Sequence, residues 1–203
     1  MDTFDIVTID RHRLNTDGKG VTTLVILSGC PLQCRYCINE EILSRGKTRK
    51  LTIDALIQLL MQDYCYFAAT GGGVTFGGGE PLLHYESIMA FIRQVNGMFA
   101  TTIETSLCLD VDIVTLLKLS DQFIIDTKSI NNIVYKEYTG LSNRILLSNL
   151  DKISKAGLQH KCIIKIPDIK NYATQKDIEY SVDYVSGLGF KNIDCFTYKV
   201  KGE

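Results

Sequence analysis

Three cysteines in a short segment are the residues of this sequence best suited to chemistry. Cys30, Cys34 and Cys37 lie within eight residues of one another, in the run CPLQCRYC. Thiolates are soft ligands that suit iron–sulfur clusters, zinc or Cu(I). A structural zinc site usually has four protein ligands, and no fourth ligand is evident beside this run. The spacing therefore favours a [4Fe–4S] cluster with one open iron, and zinc binding or simple packing of the cysteines are the alternatives.

A second segment is rich in glycine and ends in an acidic residue. Residues 71–81 read GGGVTFGGGEP, so six glycines surround a short strand-like run. Glycine allows positive φ angles and close backbone approach, so Gly77, Gly78 and Gly79 can present bare N–H and C=O groups to a ligand. Glu80 precedes proline and is restricted toward an extended conformation. Taken alone, such a segment is equally typical of a flexible connection.

Alternating strand-like and helix-like segments must position these residues. Six apolar segments have the character of strands, namely 21–27, 74–76, 101–104, 123–126, 162–166 and 192–198. Both faces of these strands look apolar, as in a sheet covered by helices, and Thr52 is placed to cap the first connecting helix. The alternation predicts parallel strands in either an open doubly wound sheet or a partial β/α barrel. We also expect residues 4–9 to add an edge strand.

Composition limits the classes of protein to which the chain can belong. Its 203 residues include 22 Lys+Arg and 23 Asp+Glu, so it lacks the basic excess of nucleic-acid-binding domains. No apolar run approaches a membrane span, and the acidic start differs from a signal peptide. We therefore expect a cytoplasmic protein without nucleic-acid or membrane partners, and a single domain over residues 1–203.

Four further cysteines stand apart from the clustered three. They are Cys65, Cys108, Cys162 and Cys195. Disulfides are disfavoured in the cytoplasm, where clustered cysteines suggest metal binding or catalysis. Each isolated cysteine is most simply a small buried hydrophobe.

The cysteine and glycine segments together resemble the signature of the radical S-adenosylmethionine (radical SAM) superfamily. Its cysteine motif is C-x3-C-x-Φ-C, and Tyr36 fills the aromatic position. Its GGEP motif, which contacts the SAM amino group, matches the end of the glycine-rich segment. The resemblance implies that Cys30, Cys34 and Cys37 hold one [4Fe–4S] cluster, that SAM binds its open iron, and that reductive cleavage yields a 5′-deoxyadenosyl radical. It also implies an α/β fold, a partial (β/α)6 TIM-like barrel truncated at its C-terminal edge.

Further segments are similar to the activating enzymes of glycyl radical enzymes, the family typified by pyruvate formate-lyase activating enzyme. The matching segments are TDGKG at 16–20, GGGVT at 71–75, DTK at 126–128, YTGLSN at 138–143 and IPD at 166–168. The resemblance runs from about residue 10 to residue 198. It implies that the radical takes a hydrogen atom from a glycine Cα of a partner glycyl radical enzyme. It also implies flavodoxin or ferredoxin as electron donor.

The resemblance assigns roles to the ends of two neighbouring strands. Glu104 and Thr105 stand in the place of the family's third-strand acid–Thr pair, and Asp126 and Lys128 form its D-x-K motif. By position, Glu104, Thr105 and Asp126 would hold a monovalent cation beside the SAM carboxylate. Lys128 would lie near SAM. Without the family, an exposed ion pair between Asp126 and Lys128 would be the simpler interpretation.

Some features depart from the family pattern. The family's basic residue on the fifth strand falls near Cys162, so that Lys161 and Lys165 are both candidates to replace it. The histidine after the last strand aligns with Lys199. Only 33 residues separate Cys37 from the glycine-rich segment, so we expect no ferredoxin-like insert and a single cluster.

Two other functions stay open. A radical SAM enzyme acting on a small molecule or a ribosomal peptide shares the cluster motif, although the D-x-K and T-G-x-S-N segments argue against it. A zinc-binding interaction module without catalysis would carry the same cysteines. Iron and sulfide analysis after anaerobic purification distinguishes that module from an enzyme.

Overall fold

A mixed β-sheet forms the frame of the molecule. The computed structural model describes residues 3–14, 16–45 and 47–197. In that part of the chain the strands are β1 (Thr3–Leu14), β2 (Val21–Leu27), β3 (Arg49–Thr52), β4 (Gly73–Gly78), β5 (Ala100–Thr105), β6 (Gln122–Asp126), β7 (Cys162–Asp168) and β8 (Ile193–Thr197). Their order in space is β3-β1-β2-β4-β5-β6-β7-β8, so the sheet is not closed. In this spatial order, every pair of neighbouring strands from β2 through β4, β5, β6 and β7 to β8 is parallel. This confirms the six predicted units and fits a partial barrel.

Helices connect the parallel strands, as crossover connections between parallel strands usually do. Over the described residues they are α1 (Glu40–Arg45), α2 (Ile53–Met61), α3 (Tyr64–Thr70), α4 (Tyr85–Val95), α5 (Ile113–Leu119), α6 (Asn132–Thr139), α7 (Arg144–Lys155) and α8 (Gln175–Gly187). The Thr52 hydroxyl accepts a hydrogen bond from the Ala55 N–H at 3.2 Å, which confirms the predicted N-cap of α2. No helix within these ranges is both long enough and apolar enough to cross a membrane.

The first strand is confirmed, but its predicted position at the edge of the sheet is wrong. β1 pairs antiparallel with β2 on one side and with β3 on the other. The sequence pattern does not predict β3, because its residues show no apolar alternation. Arg49 and Lys50 are exposed there, and exposed charges of this kind are typical of edge strands.

Alternation along the parallel strands separates two faces of the sheet. On one face Val25, Phe76 and Ile103 are fully buried and belong to the core that packs against the helices. Residues alternating with them lie on the opposite face, because successive side chains of a strand point to opposite sides. That second face carries polar side chains, among them Glu104 and Asp126, so the expectation of two apolar faces is wrong.

Candidate functional site

A cavity at the carboxyl ends of the parallel strands contains most of the predicted site residues. Its volume is about 120 Å³. The cysteine loop after β2, the glycine-rich loop after β4 and the ends of β5 and β6 form its wall. The lining residues are Cys30, Leu32, Cys34, Cys37, Ile38, Asn39, Gly78, Gly79, Glu80, Glu104, Thr105, Ser106, Asp126 and Lys128. Four segments that are remote in sequence therefore meet at one place.

The three clustered cysteines share this cavity, and all are free thiols. Burial raises the pKa of Cys34 to about 11, against the opposing effect of Lys128. Binding of a metal would have to displace the thiol proton. Within the described ranges no three His, Cys, Asp or Glu side chains converge on a point where one metal ion would fit. In a [4Fe–4S] cluster each thiolate binds a different iron, so the three sulfur atoms need not converge on one point.

Hydrogen bonds hold the cysteine loop from two sides. The backbone N–H groups of Gln33 and Arg35 donate to carbonyl oxygens at the C-terminal end of α6, at 2.8 and 3.1 Å. On the other side, the Asn39 side-chain amide donates to the Gly78 carbonyl at 3.0 Å. The YTGLSN segment thus begins with the part of α6 that anchors this loop.

The glycine-rich loop runs directly against the end of β2. Gly78 has φ of +88°, and a Cβ placed on it would lie 2.4 Å from Ile26 Cγ2. A Cβ placed on Gly79 would lie 2.1 Å from the carbonyl oxygen of Gly29. The Glu80 N–H also donates to that carbonyl at 2.8 Å. Glycine is therefore required by close packing against the cysteine loop, and the segment is not a flexible connection.

Glu80 connects the glycine-rich loop to the end of β5. The residue is 1% exposed, and Thr105 Oγ1 donates to its Oε1 at 2.5 Å. Its Oε2 accepts hydrogen bonds from the Ser106 N–H at 3.0 Å and from Ser106 Oγ at 2.5 Å. The carboxylate is thus satisfied by the chain's own donors. Ser106, which the motifs do not single out, is part of this contact, and the Thr105 hydroxyl is directed toward Glu80.

Two carboxylates, those of Glu104 and Asp126, lie at the ends of neighbouring strands on the polar face of the sheet. Asp126 Oδ2 accepts from Lys128 Nζ, whereas its Oδ1 is buried and lacks a hydrogen-bond partner in the described part of the chain. Burial raises the pKa of Glu104 to about 7, with further contributions from Asp17 and Asp126, while Lys165 and Lys128 oppose the rise. A positively charged group placed between Glu104 and Asp126 would offset this repulsion.

The structure distinguishes the two candidate lysines of the fifth parallel strand. Lys161 Nζ donates to three carbonyl oxygens at the C-terminal end of α5, at 2.7 to 3.2 Å, and so has a structural role. Lys165 is the direct neighbour of Asp126 in the sheet, and its Nζ lies 5.2 Å from the centre of the Phe196 ring. Of these two lysines, Lys165 is therefore the one that lies next to a residue of the cavity wall. Lys199 lies outside the described residues, as does Tyr198 of the last predicted strand.

Two predicted cofactor-binding residues do not line the cavity. The Tyr36 ring packs against the rings of Tyr138 and Tyr172, with centroids 6.0 and 5.8 Å away. Gly77 lies beside Glu104, where a Cβ would come within 3.0 Å of Glu104 Oε2. Gly77 thus makes room for the Glu104 side chain, and a contact between Tyr36 and SAM stays a prediction.

Comparison with known proteins agrees with this geometry. Residues 24–184 match the model of the Radical SAM superfamily. A 4-hydroxyphenylacetate decarboxylase activating enzyme of Clostridium scatologenes is 23% identical, over 98% of this chain and 83% of that protein. A pyruvate formate-lyase-activating enzyme of Clostridium pasteurianum is 31% identical, over 70% of this chain and 60% of that protein.

A solved structure shares the fold. Streptococcus suis SuiB bound to S-adenosylmethionine superposes with a TM-score of 0.64 at 14% identity, over 87% of this chain. This chain spans 38% of that protein. The family match covers the cysteine loop, the glycine-rich loop and the ends of β5 and β6. The chain belongs to the radical SAM superfamily of enzymes, and within it the chain is similar to the activating enzymes of glycyl radical enzymes.

Proposed function

We propose that this protein is an activase that installs a glycyl radical on a partner enzyme. The observation that carries the proposal is the single cavity where three cysteine thiols meet the Gly78–Gly79 backbone and the carboxylates of Glu104 and Asp126. The sequence of this chain is similar to those of two activating enzymes over most of its length, and this similarity supports the same function.

The residues present fit the cofactors that the superfamily implies. Cys30, Cys34 and Cys37 would hold a [4Fe–4S] cluster. Bound there with SAM, the cluster would supply, on one-electron reduction, a 5′-deoxyadenosyl radical able to take a hydrogen atom from a glycine Cα. Gly78 and Gly79 would offer backbone groups to the SAM amino group. Lys128, at the cavity wall, would face the SAM carboxylate.

The partners follow from this chemistry. We propose a glycyl radical enzyme as the protein substrate, and flavodoxin or ferredoxin as the electron donor. Two activating enzymes named for different lyases, a 4-hydroxyphenylacetate decarboxylase and a pyruvate formate-lyase, are similar to this chain, so similarity alone selects no single partner. A cytoplasmic location stays a prediction.

The activase function has a direct test. With reductant and SAM alone, the anaerobically reconstituted protein should release 5′-deoxyadenosine slowly. Adding a candidate partner, a glycyl radical enzyme encoded beside this gene, should increase that release and produce a doublet electron paramagnetic resonance signal. A partner whose radical-bearing glycine is replaced by alanine is the control and should give no doublet. If no glycyl radical protein responds while a small molecule or a ribosomal peptide drives turnover, the activase function is wrong.

We further propose that a monovalent cation binds between Glu104 and Asp126, where the buried Asp126 Oδ1 lacks a partner in the described ranges. SAM affinity, measured by calorimetry at constant ionic strength, should rise by about tenfold, or 1.4 kcal/mol, when Na⁺ or K⁺ replaces tetramethylammonium. Asp126→Asn should remove this dependence, whereas Asp110→Asn, at an exposed position, should retain it. Equal affinity in all three salts would rule out the cation.

A further inference from the structure

The hydroxyl of Tyr135 is an unsatisfied polar group in the interior. Tyr135 lies on α6 and is fully buried. Its hydroxyl has no hydrogen-bond partner among the residues that the structure describes. Burial of an unpaired hydroxyl is destabilising, because its hydrogen bonds to water are lost and not replaced. A tyrosine at this position is therefore costly unless another group supplies the missing partner.

Tyr135 lies three residues before Tyr138, so both lie on one side of α6, and the Tyr138 ring packs against Tyr36 of the cysteine loop with ring centroids 6.0 Å apart. Burial raises the pKa of Tyr135, and Cys108, Cys34 and Glu80 raise it further, while Lys128 opposes the rise. Three of these four groups line the cavity, the exception being Cys108.

The helix that carries Tyr135 is fixed relative to the cysteine loop. The carbonyls of Tyr138 and Thr139, one turn further along α6, accept the backbone hydrogen bonds that hold this loop. Thr139 Oγ1 in turn donates to the Tyr135 carbonyl at 2.7 Å. The hydroxyl thus lies on a rigid element that contacts the loop directly.

We propose that Tyr135 is a positioning residue that would donate a hydrogen bond to a sulfur atom of the cluster held by the cysteine loop. This inference rests on the proposed function, because the missing partner is the cluster itself. A hydrogen bond to a cluster sulfur stabilises the more negative, reduced state and raises the reduction potential. Tyr135 would thereby make the cluster easier to reduce by its electron donor.

The test is Tyr135→Phe, which removes only the hydroxyl. After anaerobic reconstitution, iron and sulfide contents should equal those of the wild type. The midpoint potential, from a titration followed by electron paramagnetic resonance of the reduced cluster, should become more negative. Tyr172→Phe is the matched control, since that half-buried ring packs against Tyr36 of the cysteine loop but its hydroxyl is not one of the buried groups that lack a partner. Its midpoint potential should not change.

A second measurement uses the protein without the cluster. In urea unfolding of the cluster-free protein, Tyr135→Phe should be as stable as the wild type or more stable, because an unpaired hydroxyl is removed. In the cluster-bound protein the same change should hasten loss of iron to a chelator. An unchanged midpoint potential would overturn the inference, and so would a cluster-free variant that is clearly less stable.

These outcomes separate this inference from the proposed function. If the wild type binds no iron and sulfide, both fail. If the wild type binds a cluster and activates a partner while Tyr135→Phe keeps the wild-type potential, only the role of Tyr135 is wrong.

Discussion

Replacing Cys34 with alanine is expected to abolish the brown absorbance of the protein after anaerobic reconstitution. Cys30, Cys34 and Cys37 line the same cavity, and ligation by thiolate supplies the binding free energy of such a cluster. With two thiols left at the cavity, we expect bound iron and sulfide to fall to background in Cys34→Ala. The measurement is chemical analysis of iron and sulfide together with the visible spectrum.

The isolated cysteines provide the controls. Cys65 lies on α3 and Cys195 lies on β8, and both are exposed, so the expectation of buried cysteines is confirmed only for Cys108 and Cys162. Cys108 is the stricter control, because its buried thiol lies 3.7 Å from Glu80 Oε2, close to the cavity. Alanine at each of these positions should leave the iron and sulfide contents unchanged. Loss of the cluster in a folded Cys195 or Cys108 variant would overturn the assignment to three cysteines.

The parallel strands were predictable because each is marked by a short run of β-branched or apolar residues. The predicted strand 21–27 coincides with β2, and the apolar runs of the other units match their strands to within a few residues. The end of the first helix is less predictable, because Leu60, Met61 and Tyr64 continue the helical spacing of apolar residues beyond the end of α2 at Met61. Instead the chain breaks at Asp63, whose buried carboxylate accepts hydrogen bonds from Arg11 and Thr23. Contacts between residues so far apart in sequence leave no periodic pattern.

The site was predictable as a set of residues, but not in its internal contacts. The spacing of the cysteines and the glycine-rich segment identifies most of the cavity wall. The choice of Lys165 was also predictable from the sequence. In strand 162–168 it alternates with the apolar Cys162 and Ile164, so its side chain lies on the opposite, polar face of the sheet. The contact between Glu80 and Ser106 spans 26 positions, and no local pattern predicts it.

Glu80→Ala is expected to destabilise the cluster-free protein by about 3 kcal/mol. The buried carboxylate accepts hydrogen bonds from Thr105, Ser106 and the Leu82 N–H. Removing it leaves these buried donors unpaired at the point where the glycine-rich loop joins β5. For a chain of this size, 3 kcal/mol corresponds to a fall in Tm of about 6–12 °C. Urea and thermal unfolding under reducing conditions measure both quantities.

Two further variants separate this structural role from a loss of charge. Glu137→Ala removes an exposed glutamate of α6 and should change stability by no more than about 0.5 kcal/mol. Glu80→Gln keeps one acceptor oxygen but turns an amide N–H₂ toward the donors, so its effect should lie between the other two. If Glu80→Ala is no less stable than Glu137→Ala, then Glu80 does not hold the loop. A contact between its carboxylate and SAM would then be the better explanation of the glutamate in this motif.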